Sequence, residues 1–422
     1  MRQKIKTLED VVKSNLCNGC GACAFVADKG IRMVDDEIVG RRPFLDNDSG
    51  DKSQLAKLLQ FCPGWSVNRS DIIEESSECI PSLQKQWGNV LEVWEVYADN
   101  QEIRKSGSSG GCITAISLYC LEVGGMSGVL NTHQSALDPV KNESSISRTR
   151  EQLLNATGSR YSPSSPCEKL NEIEGLDGAG VFIGKPCDAV AVHKIRKDRE
   201  KLNQKLGVVI SFFCAGTPST FGVNQLIDKV VGGDSCKVDN IRFRGNGWPG
   251  MWVLGYWVGE RINKKVLTYQ ESWGFLQKYR QWRCYICPDH TGEFSDISVG
   301  DPWYRGNGGD DLGKSLVVVR TELGRKILHE AADAGYIVLG KSDPSMLPKS
   351  QPNLITAKAV LWGRIFALKL VGIGVPDYRG FELLSFWIKD LTIKQKVNSI
   401  LGTIRRVFVK KINIEYSIKD IN

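Results

Sequence analysis

The sequence predicts an α/β (α+β) protein with a small cysteine-rich domain at its amino terminus and a larger domain built on a mixed sheet. Three observations support this prediction. Short apolar segments of strand length alternate with helical segments through the middle of the chain, which is typical of α/β folds. The 13 cysteines are clustered rather than scattered among the 422 residues. The composition, 41% apolar and 24% charged, is ordinary for a globular chain that buries a sizeable core.

The amino-terminal cysteine run indicates a 4Fe-4S cluster. Cys17, Cys20 and Cys23 are spaced C-x2-C-x2-C, and Cys62 is followed directly by a proline. The close run presents three thiolates to three irons, and a remote cysteine before a proline supplies the fourth ligand. A structural zinc site is the alternative, but zinc usually takes paired C-x2-C knuckles. We therefore assign residues 1–75 to a ferredoxin-like domain with one cluster.

The larger domain is predicted over residues 87–350. Its segments are, in chain order, a strand in VLEVWEVYAD, a glycine-rich turn and helix in GSSGGCITAISLYCLEVGG, a strand in MSGVLNTH, a strand, turn and helix in VFIGKPCDAVAVHKI, a strand in GVVISFFCAGTPS, a hairpin over 251–268, strands in ISVGDPW and SLVVVRT, and a helix in ELGRKILHEAADAG. This alternation predicts a sheet with helices packed against it.

A second set of cysteines lies in the larger domain. Cys284 and Cys287 form a CxxC pair, and Cys187 and Cys214 each follow a predicted strand. Sites gather where the strands of an α/β sheet end, so these four thiols can form a second cluster site. The alternative is that Cys187 and Cys214 are small buried apolar residues, as free cysteines often are. Spacing alone leaves both interpretations open.

Two loops are candidates for binding a nucleotide cofactor. The segment KSGSSGG precedes a predicted helix, and its small residues let the backbone approach a phosphate at the helix amino terminus. The segment GSRYSPSS offers polar and aromatic groups, Ser159, Arg160 and Tyr161, that can serve a flavin. The first segment matches neither the G-x-G-x-x-G turn nor the Walker A loop, and a flexible loop with a tight helix start is the alternative.

The order of KSGSSGG, GSRYSPSS, GKPCDA, FFCAGTPS and CYICPDHTGEFSDISVGD resembles the family of coenzyme F420 hydrogenase/dehydrogenase beta subunits, which also includes plant 7-hydroxymethyl chlorophyll a reductase. The resemblance covers roughly residues 10–380 and implies FAD and one or two 4Fe-4S clusters. It implies that Cys187, Cys214, Cys284 and Cys287 are cluster ligands. It also implies that the flavin is lined by Ser106, Gly107, Ser108, Ser109, Gly110, Gly111, Gly158, Ser159, Arg160, Tyr161 and Ser162. One departure is Cys112, where the family usually has an aliphatic residue; its position after the loop glycines places it close to the flavin.

We therefore expect an enzyme, an iron-sulfur flavoprotein oxidoreductase. In the preferred hypothesis, reduced ferredoxin donates electrons through two 4Fe-4S clusters to FAD, which reduces a small organic substrate such as a sugar or a lipid-linked molecule. The alternative is an electron-transfer subunit of a larger complex, or a dehydrogenase subunit that reduces a deazaflavin coenzyme. His290, Glu293 and Asp296 lie near the CxxC pair and are candidate proton donors, although such residues more often support a metal site or lie at the surface.

The carboxy-terminal region, residues 351–422, is predicted to be a basic amphipathic helical segment. The net charge of the chain is +7, and Lys and Arg alternate here with bulky apolar residues. The preferred interpretation is an ordinary helix with a solvated basic face, and peripheral contact with anionic lipid is the alternative. Nucleic acid is excluded as a partner, because the basic residues form no compact tract with interleaved aromatic residues. A polar amino terminus without a signal peptide, the clustered cysteines and the lack of a long apolar run predict a cytoplasmic protein.

Overall fold

The computed structural model describes residues 4–27, 29–46, 52–72, 78–232, 236–305 and 311–416, and it confirms the α/β class. Its strands are β1 (Ile31–Asp36), β2 (Gly40–Leu45), β3 (Ser66–Asn68), β4 (Glu92–Ala98), β5 (Gly128–Gln134), β6 (Asn142–Ser147), β7 (Gly180–Gly184), β8 (Leu206–Phe212), β9 (Lys237–Arg242), β10 (Met251–Val258), β11 (Arg261–Thr268), β12 (Ile297–Gly300), β13 (Ser315–Val319), β14 (Ile337–Ser342) and β15 (Asp377–Arg379).

The helices are α1 (Leu8–Lys13), α2 (Ala22–Ala27), α3 (Lys52–Lys57), α4 (Pro81–Trp87), α5 (Gln101–Ser106), α6 (Cys112–Glu122), α7 (Arg150–Asn155), α8 (Leu170–Glu174), α9 (Pro186–Asp198), α10 (Glu200–Lys205), α11 (Thr220–Val231), α12 (Tyr269–Leu276), α13 (Glu322–Asp333), α14 (Met346–Ser350), α15 (Pro352–Ala359), α16 (Leu361–Leu370), α17 (Leu383–Lys389) and α18 (Ile393–Val409). Within the described ranges, no helix combines the length and the apolar character needed to cross a membrane.

An eight-stranded mixed sheet forms the centre of the molecule, in the order β14-β4-β13-β12-β8-β7-β5-β6. Its four central strands, β12, β8, β7 and β5, run parallel to one another, and the outer pairs are antiparallel. Parallel strands end at the same edge, so the loops after β7, β8 and β12 leave the sheet side by side. Lys185, Cys214 and Asp301 lie in these loops.

Both faces of the central strands are buried, as is usual for parallel sheets. Along β8, Val208 and Ile210 pack into the core on the side of α6 and α13, and Val209 packs into the core on the side of α9. The same alternation occurs in β7, where Val181 and Phe182 enter different cores. The near-continuous apolar runs of these strands therefore reflect helices on two sides.

The structure has a strand at each apolar segment assigned to one in the sequence analysis, and the hairpin predicted over 251–268 is confirmed by the pairing of β10 with β11. A third strand, β9, extends that hairpin into a small separate sheet. The edge strand β6 was not predicted, because its sequence NESSIS carries a single large apolar residue. Its place in the sheet comes from pairing with β5 along six residue positions.

The amino- and carboxy-terminal parts of the chain pack together. Strand β3 pairs in parallel with β15, and Val11 and Leu16 share a core with Leu361, Leu368 and other residues of the carboxy-terminal helices. The division into 1–75, 87–350 and 351–422 stays a prediction. The shared core means that the first and third of these parts support each other.

Arg320 connects the loop that follows Cys284 and Cys287 to the central sheet. Its guanidinium is 2% exposed and donates to the carbonyl oxygens of Trp87, Asn89 and Thr291 at 2.8, 3.0 and 3.1 Å. It also donates to the Ser298 hydroxyl at 2.8 Å. A buried polar group left without a partner is costly, so these acceptors depend on Arg320.

Replacing Arg320 by methionine is therefore expected to lower the free energy of unfolding by about 3 kcal/mol, because several buried acceptors lose their donor. Urea unfolding followed by tryptophan fluorescence measures the change. The control is Lys326→Met, whose side chain is 69% exposed and lies 3.9 Å from Glu330. This control is expected to cost less than about 1 kcal/mol. Equal unfolding midpoints for the two variants would contradict the role given to Arg320.

Candidate cofactor site

A cavity of about 310 Å³ opens at the carboxyl edge of the parallel strands. It is lined by residues that follow β7, β8 and β12, including Lys185, Cys214 and Asp301. The two loops predicted to hold a cofactor meet there. The lining includes the following of their residues: Gly107, Ser108, Ser109, Gly111, Gly158, Ser159, Arg160, Tyr161 and Ser162. Two predicted residues, Ser106 and Gly110, do not line the cavity.

The glycine pair at the end of the first loop sets the direction of α6. Gly110 and Gly111 have φ values of +81° and +70°, which favour glycine. A Cβ at Gly111 would lie 2.4 Å from the carbonyl oxygen of Ile103. The turn brings the first residues of α6, Cys112 among them, to the cavity wall, and no side chain caps the helix amino terminus. Its free amide groups and positive dipole end favour an anion in the cavity.

The second loop is joined to the first by a direct hydrogen bond. The backbone amide of Ser159 donates to the Ser108 hydroxyl oxygen at 2.8 Å. Arg160 is fixed by the side-chain oxygen of Asn142 and the carbonyl oxygen of Ile241, each at 2.8 Å. Burial lowers the pKa of Arg160 to about 10, a value that still leaves the guanidinium charged at neutral pH. Its hydrogen-bond partners in the described part of the chain are neutral oxygens, so this cation adds positive charge to the site.

Arg244 and Asp301, which were not among the predicted site residues, form a buried ion pair in the cavity wall. The two guanidinium nitrogens contact the carboxylate at 2.9 and 2.7 Å, and the indole nitrogen of Trp248 donates to the same carboxylate at 2.9 Å. Arg244 also donates to the carbonyl oxygen of Ser108 at 2.8 Å. Because these residues lie far apart in sequence, only the position of Asp301 directly after a predicted strand signalled the site.

Aromatic rings form another side of the cavity. Tyr269 and Trp303 stack with ring centres 5.3 Å apart, and Arg244 lies 5.0 Å from the Tyr269 ring. Flat aromatic faces of this kind pack well against planar ring systems. The cavity therefore combines an anion-binding end with an aromatic wall.

Lys185 and Asp188 form a second ion pair at the start of α9. The ammonium group lies 2.8 Å from the carboxylate and 3.0 Å from the Ser164 hydroxyl oxygen. Burial alone would lower the pKa of Lys185, but the Asp188 carboxylate raises it above its ordinary value. The charged residues of the lining are thus Arg160, Lys185, Arg244, Asp188 and Asp301, an excess of one positive charge. An anionic ligand matches this balance.

The amino-terminal cysteines come together in a small separate cavity. Cys17, Cys20, Cys23 and Cys62 line it together with apolar side chains such as Phe61. Burial, together with the neighbouring Cys17 and Cys20, raises the pKa of Cys62 to about 12. The backbone amide of Gly19 donates to the Cys17 sulfur at 3.3 Å. Amide donors to sulfur are the contacts that support cluster-bound thiolates, so the donor set fits a cluster.

The four cysteines of the larger domain also converge, next to the main cavity. Burial and the neighbouring Cys284 raise the pKa of Cys214 to about 12. The pKa of Cys187 is also raised, mainly by burial, and the nearby Cys214 and Cys287 contribute to this increase. The amides of Gly216 and Thr217 donate to the sulfurs of Cys214 and Cys284, each at 3.4 Å. These amide contacts again suit thiolates bound to iron. Cys214 belongs to this set and to the cavity lining.

Neither thiol set is arranged for a single metal ion. Among the described residues, no group of three or more Cys, His, Asp and Glu side chains is placed to hold one. The assignment of the eight cysteines as cluster ligands therefore stays a prediction, supported by their convergence and by the amide contacts to sulfur.

A further thiol, Cys167, lies between the two sets. The sequence analysis gave it no role because it has no metal-ligand spacing. Its backbone amide donates to the Cys20 carbonyl oxygen at 3.0 Å, and the neighbouring Cys167 thiol lowers the pKa of Cys20. The same sulfur lies 3.7 Å from the carbonyl oxygen of Asp188, the residue after Cys187. Cys167 thus links a residue of the first set to the neighbour of a residue of the second.

The three candidate proton donors do not line the cavity. His290 is hydrogen-bonded through Nδ1 to the Cys214 carbonyl oxygen at 2.8 Å. Glu293 is buried in contact with Arg69 and Lys358, and Asp296 accepts from the Val209 amide and the Thr321 hydroxyl, each at 2.8 Å. Their catalytic role stays a prediction that these contacts do not favour.

Comparison with known proteins gives two adjoining family matches. Residues 93–171 match the family model for the N-terminal part of the coenzyme F420 hydrogenase/dehydrogenase beta subunit, and residues 179–345 match the model for its C-terminal part. Together they cover more than half of the chain, and they confirm the resemblance found in the sequence. The predicted amino-terminal cluster residues lie outside both matches.

Two curated relatives illustrate the similarity. The beta subunit of the coenzyme F420 hydrogenase of Methanococcus voltae is 26% identical over 255 residues, 60% of this chain and 84% of that protein. The beta subunit of the F420-dependent formate dehydrogenase 1 of Methanococcus maripaludis is 26% identical over 261 residues, 61% of this chain and 63% of that protein. These similarities support an oxidoreductase.

A solved structure has the same fold. The chain matches part of the F420-reducing NiFe hydrogenase complex from Methanosarcina barkeri with a TM-score of 0.54 and 23% identity, over 70% of this chain and 98% of that chain. At this identity the likeness concerns the fold alone.

The loop at Gly111 yields a test of the cavity. Gly111→Ala is expected to weaken FAD binding about tenfold or more, because the new Cβ would meet the Ile103 oxygen at 2.4 Å and reshape the start of α6. Gly125→Ala is the matched control, since φ is +71° there and nothing lies within 4 Å. Fluorescence titration of flavin-free protein with FAD measures both affinities. If Gly111→Ala and Gly125→Ala bind FAD equally well, the prediction that FAD binds in this cavity is wrong.

Proposed function

Because the chain belongs to the family of coenzyme F420 hydrogenase/dehydrogenase beta subunits, we propose that it is the electron-transfer subunit of an oxidoreductase complex and exchanges electrons with coenzyme F420. This is the alternative given in the sequence analysis, and the hydrogenase and dehydrogenase relatives favour it. They lend no support to ferredoxin as the donor or to a sugar or lipid-linked substrate. Ferredoxin is therefore tested only as a competing donor.

The observation that carries the proposal is the position of Cys214, which lines the cavity and belongs to the second thiol set. A flavin in the cavity would therefore adjoin a cluster held by Cys187, Cys214, Cys284 and Cys287. When bound, FAD supplies the chemistry that exchanges hydride on one side and single electrons on the other. A deazaflavin such as coenzyme F420 exchanges hydride, so an interconverter is needed between it and the clusters.

The residues of the cavity hold and orient such a cofactor. The amino terminus of α6 and the Arg160 guanidinium attract its phosphate groups. Tyr269 and Trp303 offer flat surfaces to its ring system. The Arg244–Asp301 ion pair fixes the position of the first loop relative to the aromatic wall, because Arg244 contacts Ser108 and Tyr269 as well as Asp301.

The residues around the thiols set the conditions for electron transfer. Backbone amides that donate to Cys17, Cys214 and Cys284 stabilise negative charge on sulfur and so raise the reduction potential of a bound cluster. The Cys167 thiol lowers the pKa of Cys20 and so also stabilises negative charge on that sulfur. Arg42, Lys185 and Arg283 lie near the thiols and offset the negative charge that cluster ligation brings into the interior.

Metal content tests the two-cluster assignment. The protein purified without oxygen is expected to hold about eight irons and eight sulfides per chain, from two four-cysteine sites. Cys20→Ala is expected to remove the first cluster and retain FAD, and Cys284→Ala to remove the second cluster and weaken FAD binding. Iron, sulfide and flavin are measured for each. Cys120→Ala, at a buried core thiol in α6, is the control and keeps all three. Full iron content in Cys20→Ala would contradict the first site.

Electron donors distinguish the proposed function from its competitor. In anaerobic stopped-flow mixing, reduced coenzyme F420 is expected to bleach the flavin and then the clusters. NADH and NADPH are expected to react far more slowly, because the G-x-G-x-x-G match of the chain, GNGWPG at 245–250, lies between strands β9 and β10 and not at a turn from a strand into a helix that could hold a dinucleotide. Reduced ferredoxin is the third donor. If ferredoxin reduces the protein rapidly and reduced coenzyme F420 does not, the proposal fails and the ferredoxin-dependent reductase replaces it. Flavin-free protein is the control.

A further inference from the structure

The carboxy-terminal helix α18 packs against the protein mainly with two small polar side chains and a valine, and it exposes most of its other apolar side chains. Its buried residues are Ser399, Thr403 and Val407. In contrast, the exposed fractions of Ile393 and Leu401 are 80% and 60%. A helix that covers a core normally does the opposite, so the exposed face of α18 is a feature to be explained.

The inner face of α18 is closely packed. The Trp387 indole nitrogen donates to the Ser399 hydroxyl oxygen at 3.0 Å, and the Thr403 hydroxyl donates to the Ser399 carbonyl oxygen at 2.7 Å. A Cβ at Gly363 of α16 would lie 2.0 Å from the Ser399 hydroxyl oxygen. Small residues at this crossing allow the two helices to approach, and the helix cannot rotate its apolar stripe inward without breaking these contacts.

The exposed residues form one stripe along the helix. At 3.6 residues per turn, its members fall within an arc of about 80°, and the helix is about 25 Å long. The stripe consists of the exposed Ile393, Val397, Leu401 and Phe408 and the partly buried Ile404. Lys394 and Arg405 border it on one side of the helical wheel. The adjacent helix α17 exposes two further apolar residues, Leu384 and Ile388.

The charge of this segment has one sign. Residues 391–414 contain six basic residues and no acidic residue. The basic residues are Lys394, Lys396, Arg405, Arg406, Lys410 and Lys411. In the part of the chain that the structure describes, the ion pairs found involve none of these six. Lys396 and Lys410 donate to the carbonyl oxygens of Ile388 and Lys278 at 2.8 and 3.3 Å. Lys394 and Arg405, which border the stripe, are therefore the cations placed to meet a negatively charged surface.

We propose that α18 docks the protein on the surface of an anionic lipid bilayer, lying in the plane of the interface. The stripe stands on a single helix rather than in a groove, which suits insertion among lipid headgroups. Long basic side chains at its border can reach the phosphates while the apolar side chains enter the acyl region. Anionic lipid attracts the basic side chains that border the stripe, and the attraction weakens with salt. This inference concerns a different surface from the cofactor cavity and is independent of the proposed function.

Vesicle sedimentation with the full-length, cofactor-loaded protein tests the proposal. The probes are vesicles of phosphatidylcholine alone and of phosphatidylcholine mixed with phosphatidylglycerol. The protein is expected to bind the mixed vesicles, and to bind them less in high salt. The double variants Val397→Gln/Leu401→Gln and Lys394→Gln/Arg405→Gln are each expected to lose about tenfold or more in affinity. Ile262→Gln, at a site 57% exposed on β11, is the control and is expected to bind normally.

The outcomes separate the proposal from its competitors. Failure of the unaltered protein to bind mixed vesicles would overturn it, and so would double variants that bind these vesicles as tightly as the unaltered protein does. Loss of an acidic protein partner in these variants, without vesicle binding by the parent, would assign the surface to that partner instead. The substituted residues are exposed, and unchanged circular dichroism and flavin absorbance verify that the variants are folded. The rate at which reduced coenzyme F420 bleaches the flavin is expected to stay unchanged in each variant. A failure of the lipid-binding proposal therefore does not affect the proposed function.

Discussion

The parallel arrangement of β7, β8 and β12 is the constraint on which the candidate site depends. Ser211 in β8 lies opposite Gly184 of β7 on one side and Ser298 of β12 on the other. This register brings the ends of three strands to one level, although the segments are separated by long stretches of sequence. Lys185 and Asp301 follow those ends directly, and Cys214 follows the end of β8 after one intervening residue, Phe213. A shift of one residue in any strand would turn each of these side chains toward the opposite face of the sheet.

Burial of charge is the main cost of this site. Thiols, guanidinium groups and carboxylates are all withdrawn from water, and each buried charge needs a partner. The cavity wall meets this need with two ion pairs, Arg244 with Asp301 and Lys185 with Asp188, and leaves Arg160 among neutral oxygens. The uncompensated charge is thus placed where an anionic cofactor would lie. The same logic explains the basic side chains near both thiol sets.

The terminal parts of the chain are held to the central domain by a buried charge network. Glu293 lies in the loop that follows Cys284 and Cys287, and its carboxylate contacts Arg69 at 2.5 Å and Lys358 at 2.9 Å. Burial opposes its ionisation, but the two cations outweigh burial and bring the pKa of Glu293 to about 2. One carboxylate therefore joins the amino-terminal part, the larger domain and the carboxy-terminal helices. A displacement of any one of these parts would therefore shift the loop that carries Cys284 and Cys287.

The sequence by itself was sufficient to predict the α/β class, the positions of the buried strands along the chain, the two groups of cysteines and the two small-residue loops. Each rests on a short pattern: the C-x2-C-x2-C run, the continuous apolar strands, or the glycines before α6.

Tertiary structure decided the rest, because it depends on residues distant in sequence. The Arg244–Asp301 pair joins two segments 57 positions apart, and Cys167 meets Cys20 across 147 positions with no metal-ligand spacing to indicate it. The amphipathic pattern of α18 was visible in the sequence, but only packing showed that Ser399 and Thr403 face inward and Leu401 faces the solvent. A pattern specifies a helix and its two faces, whereas the neighbouring elements determine which face is buried.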